Sequence, residues 1–221
     1  MRAGAGRRRS AHRTTYNGPR CGDAVGTAEI ILLDVSQPVP YGPVPRKQAR
    51  SNGIRIIAVR HGPAEVRDPA RWPDDDLRPL TRKGEEETRR AAKGLAHVVG
   101  SADRLLTSSA DRALRTAQLI QREFEKAPSP ETWEELAPGN LPTPIFDRLR
   151  RSARPKETVV LVGHEPTLAE FVGEALTGES LSVVHLTKGG AVCLEFSNSV
   201  RPGAGRLVWL LTRKQLARKH N

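Results

Sequence analysis

Apolar residues from Ile54 onward follow two patterns, short continuous runs and longer segments with the three-to-four-residue spacing of a helix. The short runs predict buried strands at Ile54–Val59, Arg104–Thr107, Thr158–Val162, Val192–Phe196 and Leu207–Thr212. The helical spacing predicts helices at Arg82–Val99, Ser109–Lys126, Ile145–Arg151 and Pro166–Thr177. Because strands and helices alternate, we expect a layered α/β fold with a mainly parallel sheet.

Residues that favour helix ends support two of these helices. Thr81 can cap the first helix, and Gly100 follows its last residue. Pro166 suits the first position of the last helix, which Gly178 closes.

The first 50 residues mix Arg, Gly, Pro and Ser without sustained periodicity. This composition predicts a disordered basic N-terminal tail over residues 1–50 and a single domain over residues 51–221. The Arg enrichment also fits an organelle transit peptide, and a solvated tail or an over-extended start fits it equally. The apolar run at Ile30–Leu33 is too short for a membrane span or a signal-peptide core, so we expect a cytoplasmic protein without membrane contact.

The formal charge of +11 is concentrated at the two ends of the chain. Residues 1–50 contain nine Lys/Arg against three Asp/Glu, and six more basic residues without an acid lie between Arg201 and Lys219. The mildly basic body suits an anionic substrate, whereas basic ends give only non-specific affinity for polyanions. Since aromatic residues make up 4% of the chain, few are available for base stacking, and no specific nucleic-acid partner is expected.

The Cys and His residues do not follow the spacing of a metal site. Cys21 and Cys193 are also too far apart in the sequence to indicate a disulfide framework. The sequence therefore predicts neither a bound metal nor another cofactor.

Two of the predicted strands end in a similar way, in Arg60-His61-Gly62 and in Gly163-His164-Glu165. In open α/β sheets, ligands bind beyond the carboxyl ends of the strands. If the two strands are parallel neighbours, His61 and His164 converge although 103 positions separate them. The glycine in each turn would let the backbone approach a ligand closely.

A third segment with candidate chemistry, Ser108 to Ala117, begins at a strand end and opens a helix. Arg112 falls in the first helical turn, where free N–H groups and the helix dipole favour an anion. Arg115 lies on another face, and we predict that it is solvated. Two histidines and two arginines, three of these residues at strand ends or helix starts, are therefore expected on one edge of the sheet.

These motifs resemble the histidine phosphatase superfamily, which has the phosphoglycerate mutase-like fold. The resemblance rests on Arg60-His61-Gly62, on the Ser108–Ala117 segment with its Arg112, and on Gly163-His164. Within the superfamily the chain is similar to the compact SixA-type phosphohistidine phosphatases. Leu77–Gly84 and Glu135–Gly139 resemble stretches of that branch in the same order.

The resemblance extends from Ile54 to Thr212 and implies a three-layer sandwich whose central sheet is flanked by helices. It also implies a metal-independent phosphatase in which His61 attacks phosphorus and forms a phosphohistidine that water hydrolyses. Arg60, Arg112 and His164 would hold the non-bridging oxygens and, with Gly62, would form the phosphate pocket.

The resemblance leaves the general acid open. Many members of the superfamily place a carboxylate after the second arginine segment, and Glu135, or Glu134, occupies that region. The alternative is that Glu135 pairs locally within a loop. Four aspartates of the loop after the first strand are expected to be solvated, although that loop could rim the site; they are Asp68, Asp74, Asp75 and Asp76.

Three functions are compatible with this pattern. The first is a SixA-type phosphatase of phosphohistidine in a protein. Only 51 residues separate Arg112 from His164, too few for a large capping domain, and Glu165 follows His164 where the acid phosphatase and phytase branch has Asp. The second is a phosphatase of small phosphorylated metabolites on the same fold. The third, of a different class, is an inactive phosphate-binding scaffold.

Overall fold

The computed structural model of the protein describes residues 52–218. The predicted tail over residues 1–50 and the start of the predicted domain lie outside the described residues.

Six strands and five helices make up the described part of the chain. The strands are β1 (Ile54–Arg60), β2 (Arg104–Thr107), β3 (Glu131–Thr132), β4 (Thr158–Gly163), β5 (Ala191–Phe196) and β6 (Gly205–Leu211). The helices are α1 (Arg82–Val99), α2 (Asp111–Glu123), α3 (Thr143–Ser152), α4 (Thr167–Thr177) and α5 (Arg213–Leu216). Two short 3-10 helices lie at Asp75–Leu77 and Glu134–Leu136.

All nine predicted elements are present, with ends that differ from the predictions by at most three residues. Besides the two 3-10 helices, one strand and one helix were not predicted, β3 and α5. The two residues of β3 are both exposed, so no apolar pattern marks them. The four-residue α5 is too short to show helical spacing; a capping box between Thr212 and Gln215 starts it.

The six strands form one sheet in the order β3-β2-β4-β1-β5-β6. The neighbours from β3 to β1 run parallel, while β5 and β6 are antiparallel. The register between β1 and β4 places Arg60 opposite Gly163. The residues that follow these two strands therefore emerge side by side at one edge of the sheet.

Apolar layers cover both faces of the sheet, as expected for parallel strands that carry helices on each side. Ile56 and Ala58 of β1 pack with α3 and α4, whereas Ile57 and Val59 pack with α1, α2 and α5. The arrangement is helix layer, sheet, helix layer, which confirms the predicted three-layer α/β sandwich with a mainly parallel sheet.

The helix ends show the predicted caps. The Thr81 side chain accepts a hydrogen bond from the N–H of Gly84, and Gly100 and Gly178 end α1 and α4 with φ angles of 85° and 87°. By contrast, α2 begins at Asp111, two residues later than predicted. Ser108 therefore lies outside the helix, and its hydroxyl accepts from the N–H of Ala110 at 3.2 Å.

Within the part of the chain that the structure describes, no helix combines the length and the apolar character that crossing a membrane requires.

Candidate active site

His61 and His164 meet where β1 and β4 end. The centroids of their imidazole rings are 5.0 Å apart, and the ring planes are inclined by 50°. Both side chains are buried, with 6% and 4% of the residue surface exposed. The predicted convergence of the two histidines is confirmed, because β1 and β4 are parallel neighbours.

A backbone contact determines which nitrogen of His61 is free. Nδ1 lies 2.7 Å from the carbonyl oxygen of Gly62, and since a carbonyl can only accept, Nδ1 carries the proton and donates it. Burial lowers the pKa of His61 to about 3 against the raising effect of the Gly62 bond, and the charges of Arg112 and Arg60 lower it further. The ring is thus neutral near pH 7, with a lone pair on Nε2.

Ser108, which follows β2, contacts and holds His164, which follows the neighbouring strand β4. Nε2 of His164 lies 3.0 Å from the Ser108 hydroxyl oxygen. Burial lowers the pKa of His164 to about 3, followed by the effects of His61 and Arg112. Ser108 begins the segment that carries Arg112 but was not predicted as a site residue.

Arg60 and Arg112 are each anchored through one end of the guanidinium group. Nη1 of Arg60 donates to the carbonyl of Leu186 at 2.8 Å, and Nη1 of Arg112 donates to the carbonyl of Asp75 at 2.7 Å. In both side chains Nε is buried and has no hydrogen-bond partner among the described residues. Buried donors of this kind are costly unless an acceptor satisfies them, so the pair is suited to an anion.

Gly62 joins the turn after β1 to α2. Its N–H donates to the Thr116 hydroxyl at 3.0 Å, and that hydroxyl donates to the carbonyl of Arg112 at 2.7 Å. A Cβ atom at Gly62 would lie 2.0 Å from Oγ1 of Thr88 on α1. The pocket role predicted for Gly62 would therefore require a residue without a side chain at this position.

The loop of residues 63–80, which follows β1, contributes two residues that were not predicted as part of the site. The Asp75 carboxylate accepts from Nε and Nη2 of Arg78 at 2.8 and 3.1 Å and lies 3.2 Å from Nη2 of Arg112. The expectation that Asp75 is a solvated loop charge was wrong, whereas the alternative that this loop rims the site is confirmed. The hydrogen bond from Arg78 holds the pKa of Asp75 below its usual value.

The segment of residues 186–190 borders the site on the β5 side and was also missed. The N–H of Gly189 donates to the carbonyls of both Arg60 and His61 at 3.0 Å, and the N–H of Arg60 donates to the carbonyl of Gly190 at 3.1 Å. These bonds bring Lys188 to the site although it lies 127 positions after His61. Since the segment has no strand or helix pattern, the sequence gives no signal for it.

Glu135 lies in the second 3-10 helix, after β3. Its carboxylate accepts from Nη1 of Arg148 at 2.8 Å, and that guanidinium stacks over the ring of Trp133, 4.1 Å from its centroid. This is a local pairing of the kind that the alternative interpretation expected. The general-acid role of Glu135 stays a prediction.

Arg115 is not a freely solvated side chain. Its Nε donates to Oε1 of Glu85 on α1 at 2.8 Å, and 34% of the side chain is exposed. The expectation of a solvated Arg115 was therefore wrong, because α1 and α2 pack closely enough to form an ion pair.

Positive groups dominate the site. Besides burial, the charges of Arg112, Arg60 and Lys188 lower the pKa of His61, and those of Arg112 and Arg78 lower that of His164. Asp75 is a carboxylate bound directly to two of these arginines. Among residues 52–218 no group of three or more His, Cys, Asp or Glu side chains is arranged to hold a metal ion. A dianionic phosphoryl group fits the charge and the free donors of this site.

Comparisons with known proteins agree with the fold. The family model for the histidine phosphatase superfamily (branch 1) matches residues 56–141, which include Arg60, His61 and Arg112. A protein of Picosynechococcus sp. is 35% identical over 155 residues, which cover 70% of this chain and 88% of the relative. The chain belongs to the histidine phosphatase superfamily.

Solved structures with the same fold include enzymes of different specificity. The protein histidine phosphatase SixA in complex with tungstate superimposes with a TM-score of 0.63 at 24% identity, over 73% of this chain and 99% of that one. A phosphoserine phosphatase from Entamoeba histolytica gives 0.52 at 15% identity, over 74% and 99% of the chains. A mycobacterial glucosyl-3-phosphoglycerate phosphatase gives 0.52 at 16% identity, over 72% and 98%. These structural similarities show that the chain has the phosphoglycerate mutase-like fold.

Proposed function

We propose that this protein is a phosphatase that transfers a phosphoryl group to Nε2 of His61 without a metal ion, and that its substrate is phosphohistidine in a protein. The observation that carries the proposal is the contact from Nδ1 of His61 to the Gly62 carbonyl, which leaves Nε2 as the free nucleophile. The unpartnered Nε groups of Arg60 and Arg112 supply donors for the phosphoryl oxygens.

In the first step, the lone pair on Nε2 of His61 forms a bond to phosphorus while the bond from phosphorus to the leaving group breaks. Arg60, Arg112 and His164 stabilise the charge on the three equatorial oxygens. The imidazole ring becomes positive as the bond forms, and the Gly62 carbonyl stabilises the resulting N–H dipole at Nδ1.

In the second step, the oxygen of a water molecule attacks phosphorus and the bond to Nε2 breaks. The two electrons of that bond return to Nε2 as its lone pair, which restores neutral His61. The proton lost by the water passes to the released phosphate. Neither step changes an oxidation state, and the products are free phosphate and the dephosphorylated substrate.

The chemistry of the leaving group favours phosphohistidine over an alkyl ester. A protonated phosphoramidate releases neutral imidazole without a dedicated acid, whereas an alkoxide needs a proton in the transition state. Glu135, the predicted donor, is engaged with Arg148. The 51 residues between Arg112 and His164 also leave the site without a large cap, as a protein-borne phosphate requires.

A second candidate is a phosphatase of small phosphorylated metabolites. It is favoured by the same fold in the phosphoserine and glucosyl-3-phosphoglycerate phosphatases. The inactive scaffold has no such support, since Arg60, His61, Arg112 and His164 are all present.

The test compares wild type, His61→Ala and Arg112→Ala in EDTA with a phosphohistidine protein, an aryl phosphate and a sugar phosphate. We expect His61→Ala to lose turnover and the acid-labile phosphoenzyme. Arg112→Ala should lower kcat by about 100- to 1,000-fold, the usual effect of losing one preorganised donor. The matched control is Arg122→Ala, an exposed arginine of the same helix, which should retain wild-type turnover.

Two outcomes separate the candidates. If wild type hydrolyses none of the three substrates and no phosphoenzyme can be trapped, the phosphatase proposal is rejected. If wild type ignores phosphohistidine and hydrolyses the sugar phosphate well, the chemistry is retained and the substrate is a small metabolite.

A further inference from the structure

Lys188 is held beside the nucleophile by the backbone around it. The N–H of the following Gly189 binds the carbonyls of Arg60 and His61, and the carbonyl of Lys188 itself accepts from Nη1 of Arg213 at 3.0 Å. Two residues earlier, the carbonyl of Leu186 accepts from Arg60. The segment of residues 186–190 is therefore fixed at both sides of Lys188, which is itself an exposed residue.

The charges near Lys188 are positive. Burial lowers the pKa of Lys188, and the charges of Arg60, Arg78 and Arg213 lower it further. The Lys188 ammonium in turn contributes to lowering the pKa of His61. The Lys188 ammonium and the site thus influence each other electrostatically, and the backbone contacts hold Lys188 beside the turn after β1.

Lys188 differs from the neighbouring cations in its partners. Arg78 is bound to Asp75, and Arg213 lies 2.9 Å from the Glu87 carboxylate. Among residues 52–218 no carboxylate lies within ion-pair distance of the Lys188 ammonium. A cation held near like charges without an anionic partner is suited to receive one from the substrate.

We propose that Lys188 is a further substrate-binding residue, which contacts the phosphoryl group from the β5 side of the site while Arg112 contacts it from the β2 side. The order of strands, β2-β4-β1-β5, places the nucleophile between these two cations. A lysine supplies a point charge with three rotatable donors, which complements the fixed forks of Arg60 and Arg112. This inference rests on the proposed function for the site, but it can be tested by binding alone.

The experiment has two measurements, tungstate binding by calorimetry and the rate of hydrolysis of an aryl phosphate. Both are made at one ionic strength on wild type, Lys188→Ala and Lys188→Arg. Tungstate is an oxyanion that the SixA structure contains, so it probes the phosphoryl position without a reaction. Lys93→Ala, an exposed lysine of α1, is the matched control, and thermal melts establish that each variant is folded.

We expect Lys188→Ala to weaken tungstate binding by about 10- to 100-fold, the usual effect of losing a hydrogen bond to a charged group. KM for the aryl phosphate should rise more than kcat falls. Lys188→Arg, which keeps the charge, should restore most of the affinity, and Lys93→Ala should bind tungstate as wild type does.

Unchanged tungstate affinity in folded Lys188→Ala would overturn the inference, as would a Lys188→Arg variant that binds no better than Lys188→Ala. If wild type binds tungstate but hydrolyses no phosphate ester, the proposed function fails. The tungstate affinities of wild type and the Lys188 variants still show whether Lys188 contacts the anion. If wild type binds no tungstate, the anion site itself is rejected together with the role of Lys188.

Discussion

The reactive state of His61 results from competing effects on one imidazole ring. Burial and nearby arginines disfavour the charged form strongly enough to lower its pKa to about 3, although the hydrogen bond to the Gly62 carbonyl opposes them. The same bond directs the proton to Nδ1. A neutral ring with a free Nε2 is the form that the proposed nucleophilic role of His61 requires.

Gly62 provides a prediction about the turn that carries this ring. In Gly62→Ala the new methyl group would lie 2.0 Å from Oγ1 of Thr88, so the turn or α1 must shift. We expect a loss of about 1–3 kcal/mol in the free energy of unfolding, as for other overpacked cores. Urea denaturation measures it, and kcat/KM should fall as His61 moves.

Thr88→Ala supplies the control for this prediction, because it removes the hydroxyl with which the new methyl group collides. In the double variant part of the lost stability should return, giving a favourable coupling of about 0.5–3 kcal/mol. Strictly additive losses from the two substitutions would show that the Thr88 contact is not the cause.

Some site residues could be predicted from their own positions in the sequence, and others could not. Arg60, His61 and His164 stand next to apolar strands, and Arg112 opens a helix, so local pattern and position indicated them. Asp75 and Lys188 come from segments whose course depends on contacts with distant residues, among them the hydrogen bond from Arg112 to the Asp75 carbonyl. Composition and periodicity carry no information about such contacts.

At the scale of elements, the backbone of α4 packs against the backbone of the segment that follows it, beside the site. A Cβ atom at Gly173 would lie 1.6 Å from the carbonyl oxygen of Leu181, in the segment that follows the helix. Helix and segment are therefore in backbone contact, and that segment continues toward residues 186–190.

Gly173→Ala should therefore destabilise the protein, although replacing glycine inside a helix usually stabilises it. Helix propensity alone would stabilise the protein by about 1 kcal/mol. Here we expect the contact with Leu181 to prevail and the free energy of unfolding to fall by about 1–3 kcal/mol in urea denaturation. Glu170→Ala, a half-exposed position of the same helix, is the control and should change stability by less than about 0.5 kcal/mol. A stabilised Gly173→Ala variant would contradict the backbone contact.

The elements that the sequence predicted well are those whose own residues determine them. The helix α1 has a threonine cap, helical spacing and a terminal glycine, and its predicted ends agree with the structure. The start of α2 was placed too early because Ser109 resembles a cap, whereas the observed Ala110 cap position has no side-chain hydrogen bond. Strand β3 exists only because β2 offers a neighbouring edge to pair with.

At the scale of the whole molecule, the two buried histidines link stability to pH. In the folded state their pKa values are about 3, below the value of about 6.5 that an unfolded chain has. Between these values the unfolded chain binds more protons than the folded protein does, so stability rises with pH. The contribution is complete above about pH 6.5 and is lost as the pH falls toward 3.

We therefore expect the melting temperature to fall as the pH is lowered from 7 to 4, and to fall less steeply in His164→Gln, which cannot titrate at that position. His97→Gln, at an exposed site on α1, is the matched control. If His164→Gln and wild type have the same pH dependence, the buried histidine is not the source of the effect.

The chain alone determined the order of nine of its elements, the layered α/β class of the fold and the ends of strands at which arginine and histidine stand, because hydrophobic spacing and helix caps are local properties. Only the tertiary structure decided which nitrogen of His61 is free, which donors of Arg60 and Arg112 have no partner, and that Asp75 contacts Arg78 and Arg112. Those features depend on burial and on contacts between segments far apart in the chain, and such contacts exist only once the sheet has assembled.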